Sequence, residues 1–234
     1  MTANISSEIL ALLSKNRIST TEVSDALGKT GLIPNVSPIN LGHYRVGRSK
    51  CIFTANGSNY QMHDEISNIS TDVIPIVFTS NCDDKAVLGE LVAKFLCLYR
   101  NAPAIIVNGC VRDLSSLRKN NYPVWCEGVT PIGCVNKEAR LYDSDVAERV
   151  KSNYDDGIVI CDDGGCVIIK KELITRETFD KLNNIELLED LWFFCLDTLK
   201  WSTKEIVCDK KYLKNQHLIP SAFDPILNIM KSAQ

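Results

Sequence analysis

Two short segments carry residue types that could act together on a small anion. Asn81-Cys-Asp-Asp-Lys-Ala-Val-Leu-Gly89-Glu90-Leu91 places a glycine where an apolar helical pattern gets under way, and Val92 follows on the same pattern. Glycine there lets the main chain come close to a ligand, and the free amides and dipole of a helix start favour negative charge. Asn108-Gly-Cys-Val-Arg112-Asp113 follows a β-branched run. Arginine offers a fork that matches a carboxylate, and the adjoining aspartate is a hard oxygen ligand suited to Mg²⁺. Set side by side, the two turns would hold an anionic oxo acid against a divalent cation. Taken singly, each piece has a plainer reading: a turn or cap for the glycine, surface charges for the Arg-Asp neighbours.

The surrounding pattern says how these turns could meet. Residues 73–79 are nearly continuous in apolar side chains, as a strand buried on both faces should be. Val87, Leu88, Leu91, Val92, Phe95, Leu96 and Tyr99 fall at helical spacing and predict one helix over 87–99. Residues 104–109 predict the next strand. Strand, helix, strand over this length is a βαβ unit, with parallel pairing and a right-handed crossover. Ligands in open α/β folds collect at the carboxyl ends of such strands, where both segments fall.

Around this unit we expect a strand at 49–54, a short helix at 114–118, a strand at 123–126, and a hairpin over 157–170 turning on Asp162-Asp-Gly-Gly165. Helices are predicted over 5–15 and from the capping box Ser19-Thr-Thr-Glu22 onward. Residues 33–47 read as turns. Beyond Thr175 the chain reads as helical, then irregular and lysine-rich. The predicted organisation is an N-terminal helix (1–17), an α/β domain (18–172) and a C-terminal helical extension (173–234).

Several classes of function are excluded. The 234 residues carry 26 basic and 29 acidic groups, a net charge of −3. That balance lacks the surface needed to neutralise nucleic-acid phosphates, so no nucleic-acid partner is expected. No apolar run approaches the ~20 residues that span a bilayer, and the first residues lack a signal-peptide pattern, so we expect a cytoplasmic protein with no membrane partner. The 10 cysteines contain no Cys-x-x-Cys pair, which favours reduced, structural thiols over a zinc site or a disulfide framework. His43, His63 and His217 are scattered and suggest no catalytic arrangement. Nucleophile-elbow, dinucleotide and Walker motifs are absent.

The order of several motifs resembles one family. These are Thr21-Glu-Val-Ser-Asp-Ala-Leu-Gly28, Arg45-Val-Gly-Arg48, Gly89-Glu90-Leu91, Asn108-Gly-x-x-Arg112-Asp113, Pro123-Val-x-x-x-Gly128 and Cys161-Asp-Asp-Gly164. The series is similar to the RraA-like family, regulators of ribonuclease activity A together with 4-hydroxy-4-methyl-2-oxoglutarate aldolases. The resemblance implies a swivelling α/β/β sandwich assembled as a homotrimer or homohexamer, with its cleft between subunits. It implies that main-chain amides of Gly89, Glu90, Leu91 and Val92 and the side chain of Arg112 bind a 2-oxo acid. Asp113 would hold Mg²⁺ or Mn²⁺, largely through water, so that the cation polarises the 2-oxo group as a carbon–carbon bond breaks. Arg112 and Asp113 would thus be the catalytic pair, in retro-aldol cleavage to pyruvate or in oxaloacetate decarboxylation. In the aldolases a glutamate from a neighbouring subunit's C-terminal region reaches the metal; Glu186 and Glu189 are the residues conceivable for it here. The alternatives are a non-catalytic regulator that binds a ribonuclease or other protein, and a biosynthetic enzyme on the same scaffold. The regulator branch tends to lose the aspartate after the arginine, so Asp113 favours catalysis. The chain departs from the family where Tyr154-Asp-Asp-Gly157 replaces a Pro-Gly-Asp stretch, and no glycine-rich strand is evident over 137–152.

Overall fold

The structure, a computed structural model, describes residues 4–232. Two compact units make up the chain, Met1–Phe179 and Asp180–Gln234.

The first unit is built on one mixed sheet. Its strands are β1 (Ser37–Pro38), β2 (Arg45–Ala55), β3 (Val73–Ser80), β4 (Ala86–Leu88), β5 (Ile105–Val111), β6 (Val124–Val129), β7 (Ile158–Asp162) and β8 (Gly165–Ile169). They lie in the order β1-β6-β5-β3-β2-β7-β8, with β4 paired to β5. The middle of the sheet is parallel: β2 on β3, β3 on β5, β5 on β6. The βαβ reading holds, because β3 and β5 pair in parallel with Ile76 opposite Ile106.

Strand residues alternate between two apolar layers, as a period of two requires. Ile52, Val77, Ile105, Val107, Val124 and Cys126 face one cluster, which the helices α3 (Tyr60–Ser67), α4 (Glu90–Lys94) and α5 (Leu114–Lys119) cover with Met62, Ile66, Val92, Ala93 and Leu117. Cys51, Phe53, Ile74, Ile76, Phe78, Ile106 and Trp125 face the other, with Val159, Cys161, Cys166 and Ile168 from the hairpin and Ala147 from α6 (Ser144–Tyr154). The sheet is nearly closed by a single segment. The Ile33 amide donates to the Cys166 carbonyl at 2.9 Å, and the Ile168 amide to Gly31 at 2.8 Å; further along, Ser37 pairs with Cys126 and the Ile39 amide donates to Val124. Covering both edges in this way removes the open ladder that invites aggregation.

The hairpin is tied to the helices before it. Ser19 caps α2 (Thr20–Ala26) in the expected capping box. The Asp162 carboxylate accepts from the Thr20 amide (2.8 Å), the Thr20 hydroxyl (2.7 Å) and the Gly164 amide (2.8 Å). Asp162→Ala strands all three donors, so we expect a loss of about 3 kcal/mol, since a hydrogen bond to a charged group contributes ~1.5–3 kcal/mol. Thermal unfolding followed by circular dichroism should show a melting temperature lower by roughly 6–12 °C.

Three expectations are corrected. Residues 87–99 are not one helix: Ala86–Leu88 is β4, the helix starts at Glu90, and it continues as a π-helical turn over Phe95–Tyr99. Leu88 is drawn into the sheet by pairing with Val111, and extended backbone at Gly89 (φ −143°, ψ −158°) separates strand from helix. The stretch 33–47 is not all turns, since it supplies β1 and the first residues of β2. Two helices, α3 and α6, went unexpected, and α6 fills the region where a strand was sought.

The second unit contains most of α7 (Arg176–Asp197), then α8 (Lys211–Lys214) and α9 (Asp224–Ser232). It has its own apolar cluster of Leu191, Cys195, Trp201, Ile206, Tyr212, Ile219, Ile226 and Leu227. No described helix is long and apolar enough to cross a membrane. All ten cysteines are free thiols. Burial pushes Cys97 and Cys126 up to about 11, so these are protonated, unreactive side chains.

Candidate active site

The correction at residue 86 is what assembles the site. Because β4 pairs with the end of β5, the strand-to-helix turn at Gly89 lies directly beside Arg112. The Arg112 amide donates to the Leu88 carbonyl at 3.0 Å, pinning the two turns together. Both predicted segments therefore meet in one crevice of about 150 Å³, lined by Val87, Leu88, Gly89, Leu91, Val92, Arg112 and Asp113.

Glycine is required here for space. A Cβ at position 89 would stand 2.2 Å from Asp113 Oδ2 and 2.9 Å from Arg112 Cγ, far inside van der Waals contact. Gly133 plays the same part across the crevice, where a Cβ would lie 2.8 Å from an Arg112 guanidinium nitrogen. The arginine side chain thus runs between two glycines. Its Nε stands 3.8 Å from Asp113 Oδ2, and about half of each side chain is exposed. A ligand can reach both charges.

Asp113 adopts a left-handed backbone (φ 60°, ψ 37°) as it leads into α5. This conformation suits aspartate better than most residues, and it brings Oδ2 to 3.0 Å from the Glu90 amide. Helix geometry leaves the amides of Glu90, Leu91 and Val92 without intrahelical acceptors. Asp113 occupies the first, so those of Leu91 and Val92 are the ones an incoming carboxylate would find. The Glu90 side chain points elsewhere, its carboxylate accepting from Asn120 Nδ2 at 3.0 Å. Leu91 is 80% exposed, whereas Val92 is buried.

Ala86, inside the first predicted segment, also lines the crevice; sequence reasoning missed the remaining lining residues, Asn59, His63, Gly133, Cys134 and Asn136. His63 is not scattered. It sits one turn after Asn59 on α3, and burial lowers its pKa below the usual imidazole value. Spacing of i, i+4 was the available signal, hidden because α3 was not recognised.

Does the donor set suit a divalent cation? Among the described residues no three His, Cys, Asp or Glu side chains gather to hold one. Mg²⁺ demands less than that, since it keeps several waters and commonly takes only one or two protein carboxylates. A half-exposed Asp113 fits a largely hydrated ion. Larger hollows occur elsewhere, such as one of about 450 Å³ along residues 48–53. Two of its charges serve the fold: Lys50 pairs with Asp155 at 2.7 Å and Glu65 accepts the Phe53 amide at 2.9 Å.

Fold and crevice together define a mixed α/β domain with a nearly closed sheet and a small charged cleft at a strand-to-helix turn. The chain belongs to the RraA-like family (Aldolase/RraA), which it matches over residues 20–168. It is 32% identical over 118 residues to a protein of Halalkalibacterium halodurans named "Putative 4-hydroxy-4-methyl-2-oxoglutarate aldolase", covering 48% of this chain and 54% of that protein. It is 27% identical over 194 residues to protein DlpA of Legionella pneumophila, covering 76% of this chain and 30% of that one. The chain thus spans about half the length of the first relative and under a third of the second. Among solved structures, an uncharacterized protein from Pseudomonas syringae pv. tomato superposes with a TM-score of 0.64 at 19% identity, covering 81% of this chain and 88% of that one. Streptomyces coelicolor RraAS2, described as an unusual member of the RNase ES inhibitor RraA family, gives 0.62 at 18% identity, covering 78% and 95%. At such identities the likeness is one of fold.

Proposed function

We propose that the protein is a divalent-cation-dependent carbon–carbon lyase acting on a 2-oxo acid, by retro-aldol cleavage of a 4-hydroxy-2-oxo acid to pyruvate or by oxaloacetate decarboxylation. The observation that carries this reading is the convergence of Arg112, Asp113, Leu91 and Val92 on one cleft, the last two in the first turn of α4, where helix geometry leaves amides without intrahelical acceptors. Its volume, about 150 Å³, lies below the ~300 Å³ where drug-sized ligand pockets begin and suits an acid of a few carbons.

Roles follow from charge and position. The substrate carboxylate takes the Arg112 fork and the α4 amides. Asp113 presents its carboxylate beside that anion, which favours a cation between them; Mg²⁺ or Mn²⁺ held there supplies electrophilic stabilisation of charge developing on the 2-oxo group. Val87, Leu88 and Val92 make the floor of the cleft apolar, while the charged groups stand at its half-exposed mouth. We further propose a homotrimer or homohexamer. Leu91, Ile132 and Val135, each more than half exposed, place apolar surface on or next to cleft-lining residues, where a second copy of the chain would cover it.

The test is pyruvate release from 4-hydroxy-4-methyl-2-oxoglutarate and oxaloacetate with Mg²⁺ or Mn²⁺, followed by lactate dehydrogenase and NADH. Cation-dependent release from either acid is expected. No release from either, together with an Asp113→Asn variant indistinguishable from the parent, overturns the reading. Gly89→Ala should lower kcat/KM at least tenfold, because the added methyl displaces both Asp113 and Arg112, and ångström-scale misplacement is costly in a positioned site. The extended backbone at Gly89 suits any residue and the groups displaced are half-exposed side chains, so the melting temperature should fall by only a few degrees while activity falls at least tenfold.

A further inference from the structure

We propose that Cys82 and Cys134 are a redox-modification site: peroxide entering the cleft oxidises Cys134, Cys82 closes a disulfide with it, and the bond disturbs the Arg112 end of the cleft. The proposal concerns the shape of the cleft and does not depend on its ligand being a 2-oxo acid.

The fold brings the two thiols together from distant parts of the chain. Cys82 opens a turn in which the Lys85 amide donates to its carbonyl at 3.0 Å. The chain then enters β4, and residues 132–134 run beside it. The Ala86 amide donates to the Ile132 carbonyl (2.8 Å) and the Cys134 amide to the Ala86 carbonyl (2.9 Å). In that register the Cys134 and Cys82 thiols meet in a side-chain hydrogen bond, and Cys134 packs against the apolar cluster to which Cys82 belongs. The two differ in access. Cys134 is partly exposed and lines the cleft, whereas Cys82 is 4% exposed. A small oxidant has to reach only the first, because the second acts from within as the resolving thiol.

The Cys134 sulfur, once ionised, attacks the O–O bond of hydrogen peroxide, giving a sulfenic acid and a hydroxide that takes up the thiol's proton. The Cys82 sulfur then displaces the sulfenic hydroxyl, which leaves as water with the Cys82 proton. Two thiols and one peroxide become one disulfide and two waters, the sulfurs losing the two electrons that oxygen gains. Burial first, and then the neighbouring thiol, push Cys134 up to about 12, while the Lys85 ammonium acts the other way. The thiolate is the reactive form, so the pair responds slowly, to sustained oxidant. Its effect on the cleft runs through Gly133, which gives the Arg112 guanidinium its room: a Cβ there would lie 2.8 Å from a guanidinium nitrogen. A covalent bond is much shorter than the contact it replaces, so closure draws Cys134 toward Cys82 and shifts the adjoining wall on which Arg112 rests.

The test exposes the full chain, first reduced and freed of reductant, to excess hydrogen peroxide at mildly alkaline pH. Peptide mapping without reductant should find a Cys82–Cys134 bond that dithiothreitol reverses. Cys161 and Cys166 also share a side-chain hydrogen bond but are 0% and 1% exposed, so they should stay reduced. Labelling of Arg112 by phenylglyoxal should change at least about threefold on oxidation and return on reduction, as ångström-scale shifts are felt in a positioned site. In Cys82→Ser, whose hydroxyl keeps a donor for the Ser80 carbonyl, Cys134 should instead stop at a sulfenic acid that dimedone traps, with Arg112 labelling unchanged. Cys134→Ala, at a partly exposed position, should show neither product and carries the test if Cys82→Ser fails to fold. Absence of the Cys82–Cys134 bond in the parent, a different bond in its place, or a bond that leaves Arg112 labelling as it was overturns the proposal. Pyruvate release decides the 2-oxo acid reading separately.

Discussion

Asp113→Asn should lower kcat/KM for the 2-oxo acid by about three orders of magnitude while leaving the melting temperature nearly unchanged. Asparagine is the informative replacement because position 113 has a left-handed backbone (φ 60°), which asparagine tolerates and alanine does not. Its side-chain oxygen also still accepts from the Glu90 amide, a bond of 3.0 Å in the parent. What disappears is the negative charge. A bound cation contributes several kcal/mol to a transition state that builds charge on a carbonyl oxygen, and about 4 kcal/mol corresponds to ~10³ in rate. A second measurement does not depend on turnover: Mn²⁺ affinity by electron paramagnetic resonance should fall at least tenfold. Without the cation the sign reverses. Asp113 stands 3.8 Å from Arg112 Nε, so removing its charge leaves more positive potential for a carboxylate, and oxalate in EDTA should bind as well or better. Unchanged activity with unchanged Mn²⁺ affinity would remove Asp113 from the site.

The parts of this architecture that could be read in advance are those whose signal is local. Ile74–Phe78 and Ile105–Val107 are apolar runs that pack on both faces, so their composition alone marks them as central strands. The pairing of β3 with β5 then brought the Gly89 and Arg112 turns into one neighbourhood. Hidden elements depend on distant partners. Val87 and Leu88 fit a 3.6-residue period with Leu91 and Val92, and only hydrogen bonding to β5 more than twenty residues later makes them a strand. Closure of the sheet rests on Ile33 reaching Cys166, a contact no window of sequence contains. Helix α3 buries just Met62 and Ile66 and lacks a side-chain cap, so neither periodicity nor a start signal announced it. With that helix went Asn59 and His63. The anion end of the cleft was legible because glycine, arginine and aspartate are unusual in combination; the other wall is built from common residues whose meaning comes from where they stand.

Arg112→Ala should cost roughly 3 kcal/mol of binding and transition-state stabilisation, more than a hundredfold in kcat/KM, as loss of a paired charge commonly does. The substitution isolates the guanidinium, because the main-chain bond from Arg112 to the Leu88 carbonyl persists and the turns stay joined. Arg112→Lys is the sharper variant. Lysine restores the charge but not the planar fork that pairs a carboxylate through two parallel hydrogen bonds. Lysine should recover no more than about tenfold, whereas full recovery would mean that Arg112 acts as a point charge and the bidentate contact is wrong. Millimolar methylguanidine added to Arg112→Ala should return part of the lost rate, which it would not do for a misfolded protein. An alanine variant within tenfold of the parent would make Arg112 an ordinary surface residue, with Gly89 and Gly133 left as glycines that make room for nothing of consequence.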